Sequence, residues 1–210
     1  MPEPRLNKRQ LQAAETRERM LGSARDVFAD RGYQAASVGA ITKRADTAHG
    51  TFYLYFKNKD DAFGQVLHTI QEQITTDSRA ALSEDRFDSL AGAIRGFLVV
   101  FVQYRGLMRA FLEGMMLSPE IEASWRAMRA DFTTRIAHRL EREHAAGAVR
   151  TLDPLAAAQA LSSMAEWYAF THLVLGDPTS PTTEDDVDDA VATLADLWYH
   201  AVYGITDRSR

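Results

Sequence analysis

Apolar residues recur along most of this chain at steps of three and four residues, the spacing that places them on one face of an α-helix. Near the N-terminus they are Leu21, Ala24, Val27 and Phe28, and near the C-terminus Val187, Val191, Leu194, Trp198 and Val202. Strictly alternating segments, which would indicate strands, are scarce. The pattern predicts an all-α fold of about nine helices, with three short helices at the front and longer ones behind.

Polar residues at the predicted helix starts have side chains that can accept hydrogen bonds from free backbone N–H groups. These predicted N-caps are Thr16, Ser37, Asn58, Ser118 and Asp153. Gly32 is placed to end the first helix, and the composition of residues 176–183 predicts a loop. Residues 1–15 are expected to form a flexible N-terminal arm.

Residues 37–63 predict two very short helices joined by a tight turn and followed by a basic, aromatic tail. Val38, Ile41 and Ala45 form the apolar side of the first short helix, and Phe52 and Phe56 would anchor the second in the core. A supporting helix, a turn and a small polar reading helix are the parts of a helix-turn-helix.

The outward positions of this segment carry groups suited to DNA. His49 and Thr51 can meet base edges, and Gly50 allows the helix to approach its neighbour or the DNA without a side chain between. The remaining candidates bring hydroxyls or positive charge for phosphates. The full predicted set for DNA binding is Ser37, Lys43, Arg44, Thr47, His49, Gly50, Thr51, Tyr53, Tyr55, Lys57 and Lys59.

Charge is distributed unevenly along the 210 residues. Residues 1–60 hold 11 Lys and Arg against 7 Asp and Glu, whereas the whole chain has a net charge of −5. A basic first part on an acidic remainder suggests that only the N-terminal part meets a polyanion. No cysteine, signal-peptide pattern or long apolar run is present, so the expectation is a cytoplasmic protein without disulfides and without a membrane partner.

The run from Thr16 to Phe63 resembles the DNA-binding domain of the TetR family of bacterial transcriptional regulators. The matching residues include Thr16-Arg17, Gly32-Tyr33, Ser37-Val38, Ile41, Ala45, Gly50, Phe52-Tyr53, Tyr55-Phe56, Asn58-Lys59 and Phe63. The resemblance implies that Ser37, Tyr53 and Lys59 contact phosphates and that His49 and Thr51 lie where bases are read. It also implies regulation of transcription, most often repression, with no enzymatic activity.

Two of the positions that depart from the family pattern lie at the turn. Asp46 stands where the family often has glycine, and Ala48 where it often has serine. Asp46 tolerates a left-handed backbone, so the turn is expected to survive, and Thr47 or Asp46 itself is expected to cap the reading helix.

Residues 63–210 are expected to form a ligand-binding and dimerisation domain behind a DNA-binding domain at 16–62. Such bodies in the family usually hold a small-molecule inducer, and flexible apolar groups suit a lipophilic or aromatic one. The candidate lining residues are Phe97, Phe101, Phe111, Met115, Trp125, Met128, Phe132, Trp167 and Tyr168. The last two helices are predicted to form a homodimer interface, with Trp198 and Val202 supplying apolar area.

Two other classes of function compete with this interpretation. A metalloenzyme would need Glu-x-x-His motifs on facing helices, and only Glu141 and His144 offer one. No nucleophilic cysteine or glycine-rich phosphate loop is present, so neither a metal nor a cofactor is expected. A helical module that binds protein remains possible, and the salt dependence of DNA binding separates it from a DNA-binding protein.

Overall fold

The computed structural model describes residues 7–80, 83–149, 152–176 and 183–204, and all regular structure in these ranges is helical. Nine α-helices and one π-helical segment follow one another along them, confirming the predicted all-α fold. The helices are α1 (Lys8–Ala35), α2 (Val38–Arg44), α3 (His49–Phe52), α4 (Lys59–Ala80), α5 (Arg86–Gln103), α6 (Arg105–Leu117), α7 (Pro119–Ala145), α8 (Pro154–Tyr168) and α9 (Glu184–Tyr203), with the π-helical segment at Ala169–Val174 after α8.

The first helix begins well before Thr16. Asn7 caps α1 by accepting from the N–H of Gln10 while the Gln10 side chain accepts from the N–H of Asn7, a reciprocal capping box. Thr16 lies within the helix and donates to the carbonyl oxygen of Gln12 at 2.8 Å. The predicted arm is therefore wrong for residues 8–15, where good helix formers follow an effective cap. Residues 1–6 lie outside the described residues.

Gly32 kinks α1 rather than ending it. Its φ of 76° lies in the left-handed region, and helical structure resumes beyond it to Ala35. A Cβ atom placed on Gly32 would lie 2.7 Å from both carboxylate oxygens of Glu113 on α6. The Glu113 carboxylate also accepts from the N–H of Gln34 at 3.2 Å, so the kink positions a backbone donor for α6.

The chain divides into two compact units. The first contains the described residues up to Ile70 together with Gly106–Glu122, and the second contains Gln71–Arg105 and the described residues from Ala123 onward. In the first unit the glycines of α6 allow close packing. A Cβ on Gly106 would lie 2.6 Å from the carbonyl oxygen of Ala29, and one on Gly114 would lie 3.1 Å from the Phe63 ring. This packing unit is larger than the predicted 16–62 domain because α6 covers its aromatic core.

The second unit contains the end of α4, α5, most of α7, α8, α9 and the π-helical segment. Leu140, Val149, Leu161 and Val202 form a buried apolar cluster, and Trp198 packs against it. Val202 was predicted to offer apolar area to a second subunit, and that assignment is wrong, because the side chain is buried in its own chain; Trp198 is half-buried, and its predicted interface role stays a prediction. Among the described residues, no single helix is long and apolar enough to span a membrane. Taken together, α5 and α6 reach that length and hydropathy, but the pair is bent by 87° where the two helices meet.

Candidate nucleic-acid interface

The turn between α2 and α3 depends on Asp46, whose φ of 49° is left-handed. Aspartate adopts this conformation more readily than most residues because its short polar side chain bonds locally. The N–H of Thr47 donates to the carbonyl of Thr42 at 3.0 Å, and the carbonyl of Ala45 accepts from Arg19 Nε at 3.1 Å. The expectation that aspartate sustains the tight turn is confirmed.

The start of α3 has no side-chain cap. Its N-cap residue is Ala48, and the Thr47 hydroxyl instead turns back to the carbonyl of Thr42 at 3.5 Å. The prediction that Thr47 or Asp46 would cap the reading helix is therefore wrong. The helix is a single turn. A hydrogen-bonded turn follows it, in which the N–H groups of Leu54 and Tyr55 donate to the carbonyls of Thr51 and Phe52.

The outer side of α3 is open. His49 and Gly50 are exposed and Thr51 is half-buried, while Phe52 is fully buried beneath them. A Cβ placed on Gly50 would meet no protein atom within 4 Å. The predicted close packing of this glycine on a neighbouring helix is therefore wrong, and close approach to DNA is the role that stays a prediction. The surface that remains has small polar groups above an aromatic anchor.

The residues predicted to contact phosphate surround α3. Ser37 is exposed and caps α2 by accepting from the N–H of Ala40 at 3.2 Å. The Tyr53 side chain is 55% exposed, with its ring centroid 5.7 Å from that of His49. Tyr55 is half-buried, and Lys57 is exposed just before the cap of α4. That cap is Asn58, which accepts from the N–H of Asp61 at 2.7 Å, as predicted.

Lys43 and Arg44 differ in a way the sequence did not reveal. Both are exposed at the end of α2, but Arg44 forms ion pairs with Asp26 at 3.2 Å and Asp30 at 2.7 Å, both on α1. Lys43 forms no ion pair with any described residue. The positive charge of Arg44 is thus largely balanced by α1, whereas that of Lys43 is available to an external anion.

Lys59 belongs to a network that reaches α6. Its ammonium donates to the carbonyl of Tyr33, and the hydroxyl of Tyr33 donates to the Asp60 carboxylate. Asp60 also accepts from the hydroxyl of Ser118 at 2.8 Å, just after the end of α6. Burial, together with the bond to the Asp60 carboxylate, raises the pKa of Tyr33 to about 12, so its hydroxyl remains a donor at neutral pH.

Leu54 is a surface residue that sequence reasoning missed. It follows Tyr53 directly, and its side chain is 77% exposed. A large apolar side chain open to water beside the reading helix suits a thymine methyl group or a deoxyribose. The sequence held two signals for this role. Leu54 lies between Tyr53 and Tyr55, which were already predicted to bind DNA, and Phe52 and Phe56 already supply the buried side chains of this segment.

The residues predicted to line a ligand site are divided between the two compact units. Phe111 and Met115 belong to the first compact unit, and the other seven belong to the second. In the second unit the ring centroids of Phe97 and Phe101 lie 4.7 Å apart with the rings tilted by 46°, and the Phe101 ring meets that of Phe170 edge to face at 5.0 Å. These three rings lie on α5 and the π-helical segment.

The other members of the predicted ligand set lie on α7 and α8. Trp125 Nε1 donates to the Glu166 carboxylate at 3.1 Å, Met128 is half-buried, and the Tyr168 ring lies 4.5 Å from that of His172. Phe132 and Trp167 are exposed, Trp167 to 65%. These two face away from the interior of their own unit, which argues against their predicted place in an enclosed site.

The single Glu-x-x-His motif does not act as a pair. Glu141 lies 3.0 Å from His138 Nδ1, and His144 Nδ1 lies 3.2 Å from the carbonyl oxygen of Val149. Across the part of the chain that the structure describes, no group of three or more His, Asp or Glu residues is arranged to hold a metal ion.

The fold and this surface define a class of protein: an all-helical regulator that reads DNA with an N-terminal helix-turn-helix. Comparison with known families agrees. Residues 21–66 match the profile of the bacterial regulatory proteins of the tetR family, and residues 90–204 match the C-terminal domain of the transcriptional regulator EthR. The chain belongs to the TetR family of bacterial transcriptional regulators, whose members are not enzymes.

Individual relatives span nearly the whole chain. The HTH-type regulator YdgC of Bacillus subtilis is 27% identical over 181 residues, which are 81% of this chain and 88% of YdgC. EthR of Mycobacterium tuberculosis is 25% identical over 194 residues, 88% of this chain and 86% of EthR. Among solved structures, the flavonoid-responsive regulator FrrA superposes with a TM-score of 0.64 at 23% identity, covering 92% of this chain and all of that one.

Proposed function

We propose that the protein is a homodimeric repressor that binds a palindromic operator and leaves it when a lipophilic or aromatic small molecule binds. Residues 16–62 would contact DNA, and the residues that follow would hold the ligand and the second subunit. The observation that carries the proposal is the open side of α3. Exposed polar groups and an exposed tyrosine stand on a buried phenylalanine anchor, and the lysines lie on both sides.

The surface of α8 and α9 supports the homodimer. On α8 the positions 156, 160, 163 and 167 follow helical spacing and are all exposed, and Trp167 ends this row. On α9, positions 193, 197 and 201 also follow helical spacing and are exposed, and Leu197 is 53% exposed. Small residues beside a few large apolar ones suit close packing of helices from two subunits related by a two-fold axis. Such symmetry would match two half-sites in the DNA.

The aromatic interior of the second unit supports the choice of ligand. Phe97, Phe101 and Phe170 form a connected set of rings, and such side chains offer apolar area to a lipophilic molecule. A regulator of the same fold, FrrA, responds to flavonoids. The charges of the body are predominantly negative, which favours approach of DNA to the N-terminal part alone. As a DNA-binding regulator, the protein would act in the cytoplasm.

Selection of bound sequences from random oligonucleotides tests the proposal directly. We expect a palindrome with half-sites one DNA turn apart or a multiple of it, bound by a dimer in sedimentation. Binding should weaken steeply as salt rises, because phosphate contacts release counterions. A screen of lipophilic and aromatic compounds should find some that release the operator. An enriched sequence without two-fold symmetry, or a monomer at micromolar concentration, would contradict the proposal.

A further inference from the structure

Arg19 on α1 connects the first helix to the turn of the helix-turn-helix. Its Nε donates to the carbonyl oxygen of Ala45 at 3.1 Å, and Ala45 is the C-cap of α2. The next residue is Asp46, whose left-handed backbone makes the turn. Free carbonyls at a helix C-terminus carry partial negative charge, so they attract a guanidinium. The first helix thus holds a cation beside the turn that precedes α3.

Most of the Arg19 guanidinium remains available to a further partner. Arginine has five N–H donors, and the bond to the turn uses one of them. The residue is exposed and forms no ion pair with any described residue. Other arginines of α1 are balanced by carboxylates. Arg17 lies 3.0 Å from Glu18, and Arg25 lies 3.2 Å from Asp26. The positive charge of Arg19 is therefore open to an external anion.

The side chains of the turn itself cannot bind an anion. Ala48 has no polar group in its side chain, and the Thr47 hydroxyl donates back to the carbonyl of Thr42 at 3.5 Å. Asp46 is exposed and brings a negative charge, which would repel a phosphate. A phosphate that approaches this turn would therefore depend on the nearby positive charge of Arg19.

The turn lies on the same exposed surface as the reading helix. Asp46 and residues 48–50 are all exposed, so the surface runs from the turn onto α3 without a buried residue other than the half-buried position 47. His49 follows Ala45 by four residues, so their Cα atoms are at most about 15 Å apart. The major groove is about 12 Å wide and is bordered by phosphates. With α3 in the groove, border phosphates come within this range of Arg19.

We propose that Arg19 binds a DNA phosphate at the edge of the major groove through its Nη groups while its Nε holds the turn. The inference rests on the proposed binding of DNA by α3, and it adds a contact from α1 to those predicted on α2, α3 and the start of α4. A phosphate held in this way fixes the position of the DNA relative to the turn. The contact therefore orients α3 in the groove but carries no base preference.

The test compares two replacements of Arg19 in the full chain. Arg19→Gln removes the charge, and Arg19→Lys keeps it; both residues are good helix formers, so α1 should persist, and circular dichroism checks the fold. The probe is a short, fluorescein-labelled duplex of mixed sequence, because sequence-independent binding comes from phosphate contacts. Anisotropy over a salt series should show a salt slope lowered by about 0.9 per bound subunit for Arg19→Gln and unchanged for Arg19→Lys.

Arg25→Gln is the matched control, since Arg25 is an exposed arginine of the same helix that Asp26 already balances. Its slope should stay close to that of wild type. If Arg19 only held the turn, both of its variants would lose affinity with no change of slope, and that result would overturn the inference. A slope lowered as much by Arg19→Lys, or by Arg25→Gln, as by Arg19→Gln would also overturn it.

Failure of the proposed function has a separate signature. A wild-type protein that does not bind the duplex at low salt would contradict DNA binding itself, and the inference would fall with it. A wild type that binds with a steep salt slope, together with an Arg19→Gln variant of equal slope, would leave the proposed function intact and overturn the Arg19 contact alone.

Discussion

The ammonium group of Lys59 donates to the carbonyl oxygen of Tyr33 at 2.9 Å and lies 4.3 Å from the centre of the Tyr33 ring. A lysine expected to bind phosphate is thus held by α1 before any DNA arrives. An ammonium group has three donors, and one is used here, so two remain for a phosphate oxygen. Because the side chain is already ordered, less rotamer entropy is lost when DNA binds.

Replacing Lys59 with alanine should affect both DNA binding and stability. We expect weaker binding to all sequences alike and a salt slope reduced by about 0.9, the value for one phosphate contact. The melting temperature should also fall, because the contact with the Tyr33 ring is worth about 0.5–1 kcal/mol. Fluorescence anisotropy over a salt series and thermal denaturation measure the two effects.

Lys57→Ala is the matched control for this prediction. Lys57 is exposed and lies two residues earlier, but its side chain makes no described contact with Tyr33. It should therefore lower the salt slope without lowering the melting temperature. Equal loss of stability in both variants would show that the Tyr33 contact contributes nothing.

Thr51 and Leu54 should determine sequence preference rather than overall affinity. We expect Thr51→Ala to relax preference at one position of each half-site, because a hydroxyl contact to a base edge is lost. Leu54→Ala should reduce discrimination for thymine at another position by about 1 kcal/mol, within the range for base-specific contacts. Selection experiments on each variant show which position changes.

Met116→Ala provides a comparison for Leu54, since Met116 is also apolar and exposed but lies on α6. It should leave the selected sequence unchanged. An unaltered preference in the Leu54 variant would mean that this side chain does not meet a base.

Alanine variants of Lys43 and Arg44 should differ in the salt dependence of DNA binding, although both remove one positive charge. Lys43→Ala removes an unpaired cation, so the salt slope should fall by up to about 0.9. Arg44→Ala removes a cation that Asp26 and Asp30 already balance, so its slope should change less. Its melting temperature should fall instead, although exposed ion pairs contribute only up to about 1 kcal/mol each. A larger slope change for Arg44 would contradict this assignment.

The sequence was sufficient for those parts of the structure that depend on local rules. Ser37, Asn58 and Asp153 cap the helices expected of them, because an N-cap needs only a nearby backbone N–H. The exposed side of α3 follows from helical spacing above Phe52. The TetR resemblance of residues 16–63 reached the right family.

What the sequence did not reveal depends on partners distant along the chain. The pairing of Arg44 with α1 and of Lys59 with Tyr33 requires the helices to be assembled first. Val202 was assigned to a subunit interface because apolar spacing identifies a buried face but not the chain that covers it. The position of Asn7 as a cap was missed because Thr16 offered a later one.

A hydrogen-bonded carboxylate near the end of α7 predicts a pH dependence of stability. Burial alone would raise the pKa of Glu143, but the Tyr203 hydroxyl and the Arg139 guanidinium donate to it and hold its pKa below the usual value. A lowered folded-state pKa stabilises the protein above the unfolded-state value and ceases to do so as pH falls through the folded-state value.

Tyr203→Phe tests this directly. We expect a loss of about 1.5 kcal/mol in the free energy of unfolding at pH 7, as for a hydrogen bond to a charged group. The difference from wild type should shrink as the pH falls below the ordinary pKa of a glutamate and through the lowered folded-state pKa of Glu143. Urea denaturation at several pH values measures it, and a difference that stays constant with pH would contradict the assigned pairing.

Two tryptophans should distinguish the subunit interface from the core. Trp167 is exposed on α8, whereas Trp198 packs on the cluster around Val202. Trp167→Ala should weaken the dimer, with a dissociation constant at least tenfold higher by sedimentation, and leave unfolding of the subunit nearly unchanged. Trp198→Ala should destabilise the fold by about 3 kcal/mol, as for loss of a large packed side chain. A dimer unaffected by Trp167→Ala would exclude that face.

The packing of Gly114 against Phe63 and Tyr33 bears on the order in which the chain can fold. The helix-turn-helix is complete by residue 56, yet the helix that covers its aromatic rings is not available until residue 117 has been made. A nascent chain ending at residue 70 would keep these rings partly open to water. The helix-turn-helix therefore depends on sequence far downstream for the complete burial of its aromatic core.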